Sequence, residues 1–180
     1  KFSNTFKVVS GKSLEIVLGQ NSTFGLLSGA TGTVNVGTYL KNNTLNISTF
    51  GSGASIFYTT GGVTANLNEN YTVTNGDAAS TSVLVANDGA NVEIASGKTL
   101  TTNTNVGLIA TRGEGASAST SVAENKGTLE STRAEKGIGI YTTFATGKNS
   151  GTITMNNKNA VGMLATIGST LTNSKKIELN

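Results

Sequence analysis

Acid–base chemistry in this sequence would have to come from carboxylates, because the chain contains no histidine and no cysteine. Two carboxylates can act as acid and base, or as acid and nucleophile, in glycoside hydrolysis, and clustered carboxylates can hold calcium. The ten acidic residues are Glu15, Glu69, Asp77, Asp88, Glu93, Glu114, Glu124, Glu130, Glu135 and Glu178. They are scattered, and no short strand-like segment holds two of them. We therefore interpret them as solvated surface charge and predict no enzymatic activity, no catalytic residue, no metal and no cofactor.

A second candidate site is the segment Arg112-Gly113-Glu114-Gly115, which begins a run of Gly, Ala and Ser that ends at Thr120. An arginine and a glutamate carried on a protruding loop could contact a receptor, because binding residues are often found on loops. The same composition is also typical of a flexible, soluble loop that binds nothing. The sequence leaves both interpretations open.

These residues lie on a chain that repeats itself. The copies are Asn125-Lys126-Gly127-Thr128-Leu129, Asn149-Ser150-Gly151-Thr152-Ile153 and Asn173-Ser174-Lys175-Lys176-Ile177, with equal offsets (149 − 125 = 24 and 173 − 149 = 24). A fixed period of this length with several short strands per unit predicts a solenoid. We expect residues 1–180 to form one all-β segment, a single-stranded parallel β-helix of about six coils with three short strands per coil. The asparagines Asn125, Asn149 and Asn173 are expected to stack as a structural ladder at one corner.

Three interleaved columns of strand-like segments define the predicted coils. The apolar positions of the first are Leu14, Leu45, Val73, Leu100, Leu129, Ile153 and Ile177. The second column is 25–27, 56–58, 83–85, 107–109, 139–141 and 162–164, and the third is 7–9, 34–36, 65–67, 92–94, 121–123, 143–145 and 170–172. Alternation predicts that Ile153 points inward and its two threonine neighbours outward. A helix over 131–147 is disfavoured, because Thr, Gly and β-branched residues interrupt it.

Coil length predicts where loops leave the solenoid. Strands must stack at about 4.8 Å, so extra residues in a longer coil have to leave as loops. The predicted loops lie near residues 39–43 and 50–53, and above all from Arg112 to Thr120. The coil from Leu100 to Leu129 holds 29 residues (129 − 100 = 29), against 24 in each of the next two.

Composition excludes several classes of protein. Only 13% of residues are charged, which does not fit a disordered chain of high net charge, and without cysteine there are no disulfides. The net charge of +3 is dispersed and lacks the clustered Lys, Arg and aromatic residues of a nucleic-acid-binding surface. We therefore predict no nucleic-acid partner. In addition, no apolar run approaches the roughly 18 residues that a membrane-spanning helix needs.

The repeat phrases resemble those of a known group of proteins. Coils such as Asn149-Ser150-Gly151-Thr152-Ile153, followed by Ala160-Val161-Gly162-Met163-Leu164-Ala165, resemble passenger domains of large type V autotransporters. Ser10-Gly11-Lys12-Ser13-Leu14 and Ser96-Gly97-Lys98-Thr99-Leu100 are similar to phrases common in such passengers. The resemblance is closest to the giant Asn- and Lys-rich outer-membrane adhesins of fusobacteria, and it is a style of repeat that covers the whole chain.

The resemblance implies a fold and a function. It implies a right-handed β-helix that is one fragment of a longer passenger domain, secreted through an outer-membrane β-barrel at the C-terminus of the full-length protein. It also implies an extracellular location on the bacterial surface, and attachment to a glycan or protein receptor on host cells or other bacteria. The alternative is a polysaccharide lyase or glycosidase on the same fold. Inward-facing acids grouped on one face would favour that enzyme, whereas scattered acids and protruding loops favour the adhesin.

Overall fold

The computed structural model describes residues 14–41, 45–74, 76, 78–113 and 120–180, and these form a parallel β-solenoid. Every strand pair in it is parallel. The elements are β1 (Leu14–Leu18), β2 (Thr23–Asn35), α1 (Gly37–Lys41), β3 (Leu45–Phe50), β4 (Ser55–Leu67), β5 (Tyr71–Val73), β6 (Ser82–Asn87), β7 (Asn91–Ile94), β8 (Thr99–Thr102), β9 (Val106–Thr111), β10 (Val122–Asn125), β11 (Thr128–Ser131), β12 (Ile138–Thr143), β13 (Thr146–Asn149), β14 (Thr152–Met155), β15 (Val161–Ala165), β16 (Thr170–Asn173) and β17 (Ile177–Leu179).

The strands stack into three faces. Face 1 consists of the first halves of β2 and β4 with β6, β9, β12 and β15. Face 2 consists of the second halves of β2 and β4 with β7, β10, β13 and β16, and face 3 consists of β5, β8, β11, β14 and β17. From β4 to β17 the chain makes five regular turns with one strand on each face. The predicted all-β parallel β-helix with three short strands per coil is confirmed.

The N-terminal part departs from this regular pattern. Strands β1 and β3 form a separate two-stranded sheet, and α1 lies between β2 and β3. We predicted a loop near residues 39–43, but α1 occupies 37–41, and residues 42 and 43 lie outside the described residues. The helix forms there because it buries Leu40, next to the buried Val36 that precedes the helix. This part adds one irregular turn to the five regular ones.

Face 3 carries the predicted inward column through most of its length. Leu100, Leu129 and Ile153 are in register and completely buried, and Ile177 continues the column at the C-terminal turn. The prediction was wrong at Val73, because Leu100 pairs with Tyr71. Two apolar residues separated by one position point to the same side of a strand, so alternation alone cannot choose between them.

Two other register predictions were also wrong. On face 2, Val92 pairs with Ala123, two positions away from the predicted Ser121. On face 1, Gly25 pairs with Phe57, which shifts the first of the predicted segments by one position. The remaining face 1 segments keep the predicted order from residues 83–85 to 162–164.

The third column of segments was predicted to include 143–145, but the face 2 strand in this part of the chain, β13, lies at 146–149. Its sequence, Thr-Gly-Lys-Asn, has no apolar residue, so hydrophobic periodicity could not find it. Its inward position is Gly147, where a Cβ would lie 2.6 Å from Leu171 Cδ2. The neighbouring turn fills the space, and the strand is identified by its pairing with Val122–Asn125. The whole of 131–147 is strand and corner without a helix, as predicted.

Candidate functional site

The corner between face 1 and face 2, here called corner 1, differs in length from turn to turn. Between β6 and β7 it holds three residues (88–90), between β12 and β13 two (144–145), and between β15 and β16 four (166–169). Between β9 and β10 it holds ten (112–121), which is seven more than in the preceding turn (10 − 3 = 7). The strands on either side of this long segment stay in register with both neighbouring turns.

Both ends of the long segment are tied to the neighbouring corners. The backbone N–H of Arg112 donates to Thr143 O at 3.2 Å, and a Cβ built on Gly113 would lie 2.8 Å from Asp88 Cβ. At the other end, Ser121 Oγ accepts from Gly89 N at 3.0 Å and Val122 N donates to Ala90 O at 3.0 Å. The predicted contact residues Arg112 and Gly113 therefore lie at corner 1, with the arginine side chain exposed. The other two, Glu114 and Gly115, lie outside the described residues.

The corner between face 2 and face 3, here called corner 2, is short and nearly uniform. Its five regular copies hold three, four, two, two and three residues (68–70, 95–98, 126–127, 150–151 and 174–176). The three asparagines expected to stack are the last residues of face 2 strands and pair in register. Asn125 Nδ2 donates to Asn149 Oδ1 at 2.8 Å, and Asn149 Nδ2 donates to Asn173 Oδ1 at 2.7 Å. The first two side chains are buried and the third is exposed.

The amides of Asn125 and Asn149 also bond backbone carbonyls of the next turn, at or just after corner 2. Asn125 Nδ2 reaches Thr152 O at 2.8 Å, and Asn149 Nδ2 reaches Lys176 O at 3.3 Å. The run stops at Ile94, which occupies the equivalent position one turn earlier. Because isoleucine offers no donor, Asn125 Oδ1 has no partner among the described residues. An unpaired buried oxygen opposes folding. The stabilisation therefore comes from the amide bonds that join Asn125, Asn149 and Asn173.

Face 2 brings together charges that the sequence did not place in contact. Glu93 and Glu124 pair in register on adjacent turns, and Lys126 Nζ lies 2.6 Å from Glu93 Oε2 and 3.8 Å from Glu124 Oε2. The hydrogen bond to Glu93 raises the pKa of Lys126, so the ammonium stays charged and offsets the repulsion of the two carboxylates. The two-position register error hid this pair. The pair follows once Asn125 is aligned with Ile94, because Glu124 lies one residue before Asn125 as Glu93 lies one residue before Ile94.

Face 1 differs from the other two in its outward side chains. One outward column is apolar in every turn and consists of Leu26, Tyr58, Val85, Ile109, Tyr141 and Leu164. Leu26 is 57% exposed, and at corner 1 the side chains of Phe144 and Ile167 are 46% and 77% exposed. This outer column was not predicted as a site. The signal for it lay in the second column of the sequence, whose third residue is apolar in all six segments and belongs to the outer column in the last five, while Leu26 is the second residue of the first segment.

The described acids do not form a cleft. Glu93 and Glu124 lie on the outside of face 2, and Glu130 and Glu178 on the outside of face 3. The hydrogen bond from Lys176 lowers the pKa of Glu178, which keeps this surface carboxylate ionised. No group of three acids in the described ranges could hold a metal ion. The arrangement supplies surface charge and paired ions, which is the role expected for the acids from the sequence.

Similarity to known proteins adds nothing to this geometry: no protein-family model matches the sequence, and no curated protein or solved structure matches it either. In the part of the chain that the structure describes, no helix has the length and apolar character needed to cross a membrane. What defines the class of protein is therefore the fold itself, a parallel β-solenoid with one corner of variable length and one charge-free face.

Proposed function

We propose that this chain is a segment of a bacterial cell-surface adhesin, the passenger of an autotransporter, which works as a rigid rod that presents loops. The observation that carries the proposal is corner 1, where the chain varies from two to ten residues while the strands stay in register. A stack of parallel strands gives stiffness, and loops on a rigid scaffold are the usual place for recognition. The segment from Arg112 to Thr120 is the proposed contact with the receptor.

In this proposal the protein acts outside the cell. The receptor is a glycan or a protein on a host cell or on another bacterium, and the full-length protein holds the rod at the outer membrane through its own translocator. The scattered acids support an adhesin over a polysaccharide lyase or glycosidase, because those reactions need carboxylates that converge on one bound sugar. Here Glu93 and Glu124 share a lysine on an open face.

A binding screen with the 180-residue chain tests the proposal. Immobilised protein is exposed to a glycan array, to epithelial cells and to other bacteria, and the same assay is repeated after deletion of residues 113–119. The deletion should abolish binding while the circular dichroism spectrum remains that of a β-solenoid. The double variant Arg112→Ala/Glu114→Ala should weaken binding without changing the melting temperature, since it keeps the backbone of the loop.

Two outcomes count against this proposal, the first against the contact segment and the second against the adhesin itself. Binding that survives the deletion would place the contact elsewhere on the rod. Release of new reducing or unsaturated sugar ends from pectins or glycosaminoglycans, lost in Glu93→Gln or Glu124→Gln, would favour the enzyme instead. Glu69→Gln is the matched control. Glu69 pairs with Lys98 at 3.4 Å and is not one of the two stacked carboxylates.

A further inference from the structure

Face 1 carries no charge along its whole length. Its six strands, all within the described residues, contain no Asp, Glu, Lys or Arg. Face 2 presents Glu93, Glu124 and Lys148, and face 3 presents Glu130 and Glu178. Removing charged side chains from water opposes association, so face 1 is the side of the solenoid that can be covered with the smallest electrostatic penalty.

The outer column of face 1, the six residues from Leu26 to Leu164 defined above, lies outside the core cluster. Val85 is buried, at 8% exposure, but it does not belong to the cluster that contains its neighbours Leu84 and Ala86. Tyr58, Ile109, Tyr141 and Leu164 are likewise outside the core and are half-buried, like the outward threonines of face 3. A continuous apolar row of this length is unusual on the surface of a monomeric protein and commonly marks an interaction surface.

The shape of face 1 fits a second flat face. It is a sheet surface, and in the polar column beside the apolar one Thr111 Oγ1 donates to Asn87 Oδ1 at 2.9 Å. A second copy of the same face matches it in two respects, because it has the same spacing of about 4.8 Å between turns and is also uncharged. Side chains of two stacked sheets interdigitate at about 10 Å.

The area of face 1 is sufficient for a weak specific contact. Six turns at about 4.8 Å and six residues at about 3.3 Å give a footprint of roughly 29 Å by 20 Å, or about 600 Å² per copy. Two such footprints bury about 1,200 Å², at the lower limit of stable protein–protein interfaces. We propose that two copies of this chain associate side by side through face 1, with Ile109 near the centre and Tyr141 one turn away from it. The pairing leaves corner 1 and its long segment at the edge of the contact, and it does not depend on the proposed receptor.

Sedimentation velocity of the whole chain from about 10 µM to 1 mM tests this proposal, because weak interfaces dissociate in that range. The parent protein should shift from one mass to twice that mass, and Tyr141→Lys should remain at the single mass. The matched control is Val122→Lys, which places the same charge at an outward apolar position of face 2 and should associate like the parent. A parent that stays monomeric, or a Tyr141→Lys protein that still associates, overturns the proposal.

Single cysteines give a second readout that does not disturb the charge of the face. The chain has no cysteine, so any disulfide-linked dimer must form through the introduced residue. Under mild oxidation Ile109→Cys should form a covalent dimer at least several times faster than Val122→Cys. Equal rates for the two variants, or a faster reaction of Val122→Cys, would show that face 1 is not the contact.

Discussion

Corner 1 and corner 2 bound the same strands of face 2 but tolerate very different lengths of chain. Corner 1 holds from two to ten residues in successive turns, and corner 2 holds from two to four. At corner 2, buried asparagine amides bond from one turn to the next, both to each other and to a backbone carbonyl of the next turn. At corner 1, the described bonds between turns join backbone groups to one another or to the hydroxyls of Ser121, Thr166 and Ser169, and Asp88 and Phe144 turn at positive φ.

The difference indicates where a solenoid can vary. A corner linked by buried side chains from turn to turn cannot lengthen without leaving their polar groups unpaired, which carries a free-energy penalty. A corner closed by backbone bonds can accept extra residues, because lengthening a loop adds little closure entropy. Corner 2 therefore stabilises the stack of turns, and corner 1 can vary in length and sequence.

The largest effect is expected just beyond corner 2, at the buried Ile153 of face 3. Ile153→Asp places a charge without a partner in the apolar column, which should lower the free energy of unfolding by about 4 kcal/mol or more. Thr152→Asp, one position before it on the outward side, should change it by less than about 0.5 kcal/mol. Urea denaturation measures both, and equal effects would mean that the inward face is assigned incorrectly.

The second effect concerns the ladder itself. Asn149→Ala removes the donor to Asn173 Oδ1 and the acceptor for Asn125 Nδ2, and should destabilise the protein by about 2 kcal/mol. Asn173→Ala is the matched control, because this exposed amide ends the run and its loss should amount to a few tenths of a kcal/mol. Similar losses in thermal melts of the two variants would remove the distinction between the two corners.

The third effect is a dependence of stability on pH. It concerns Tyr71, in the strand that follows corner 2 in the second turn. Burial raises the pKa of the Tyr71 hydroxyl to about 12. The folded state then keeps its proton above pH 10 while the unfolded state loses it, so stability should fall between pH 10 and 12, by at most about 2 kcal/mol. Tyr71→Phe has no proton to lose at this position. Its unfolding free energy should therefore fall less than that of the parent over this interval, and parallel profiles would contradict the burial of this hydroxyl.

The smallest effect is expected at corner 1. Deletion of residues 113–119 leaves three residues between β9 and β10 (10 − 7 = 3), the same number as between β6 and β7. The melting temperature should hardly change, within an equivalent of about 0.5 kcal/mol. Differential scanning calorimetry measures this, and a large fall would show that the deleted residues pack against the solenoid.

The sequence was sufficient for the fold wherever the repeat is strict. Equal 24-residue steps identified the register of Leu129, Ile153 and Ile177 and brought Asn125, Asn149 and Asn173 into one column. It was insufficient where an inward position is small or duplicated. Gly147 hid the strand β13 because neighbouring side chains fill its space, and Val73 could replace Tyr71 because both point to the same side.

The candidate sites were predictable in different degrees. The corner that holds the long segment followed from counting residues between strands, because stacked strands must stay in register from turn to turn. The outer column of face 1 is visible in the second column of segments, but inward and outward positions were predicted only for the strand around Ile153. The pairing of Glu93 with Glu124 required the register of a strand whose inward residue, Ala123, is too small to mark it by hydrophobicity.

The most direct test of the two-corner account moves one segment between corners. Residues 113–119 are duplicated and inserted either between Phe144 and Ala145, at corner 1, or between Ser150 and Gly151, at corner 2. Both variants have the same composition and length, and their urea midpoints are compared with the parent. The corner 1 insertion should unfold within about 1 kcal/mol of the parent, since it repeats what the preceding turn contains.

The corner 2 insertion should be destabilised by at least about 3 kcal/mol more, because it moves Thr152, whose carbonyl accepts from Asn125 Nδ2, away from the ladder. In addition, Gly151 packs so closely on Gly127 O that there is no room for a side chain at this position. Equal loss of stability at the two corners, or a larger loss at corner 1, would contradict the account.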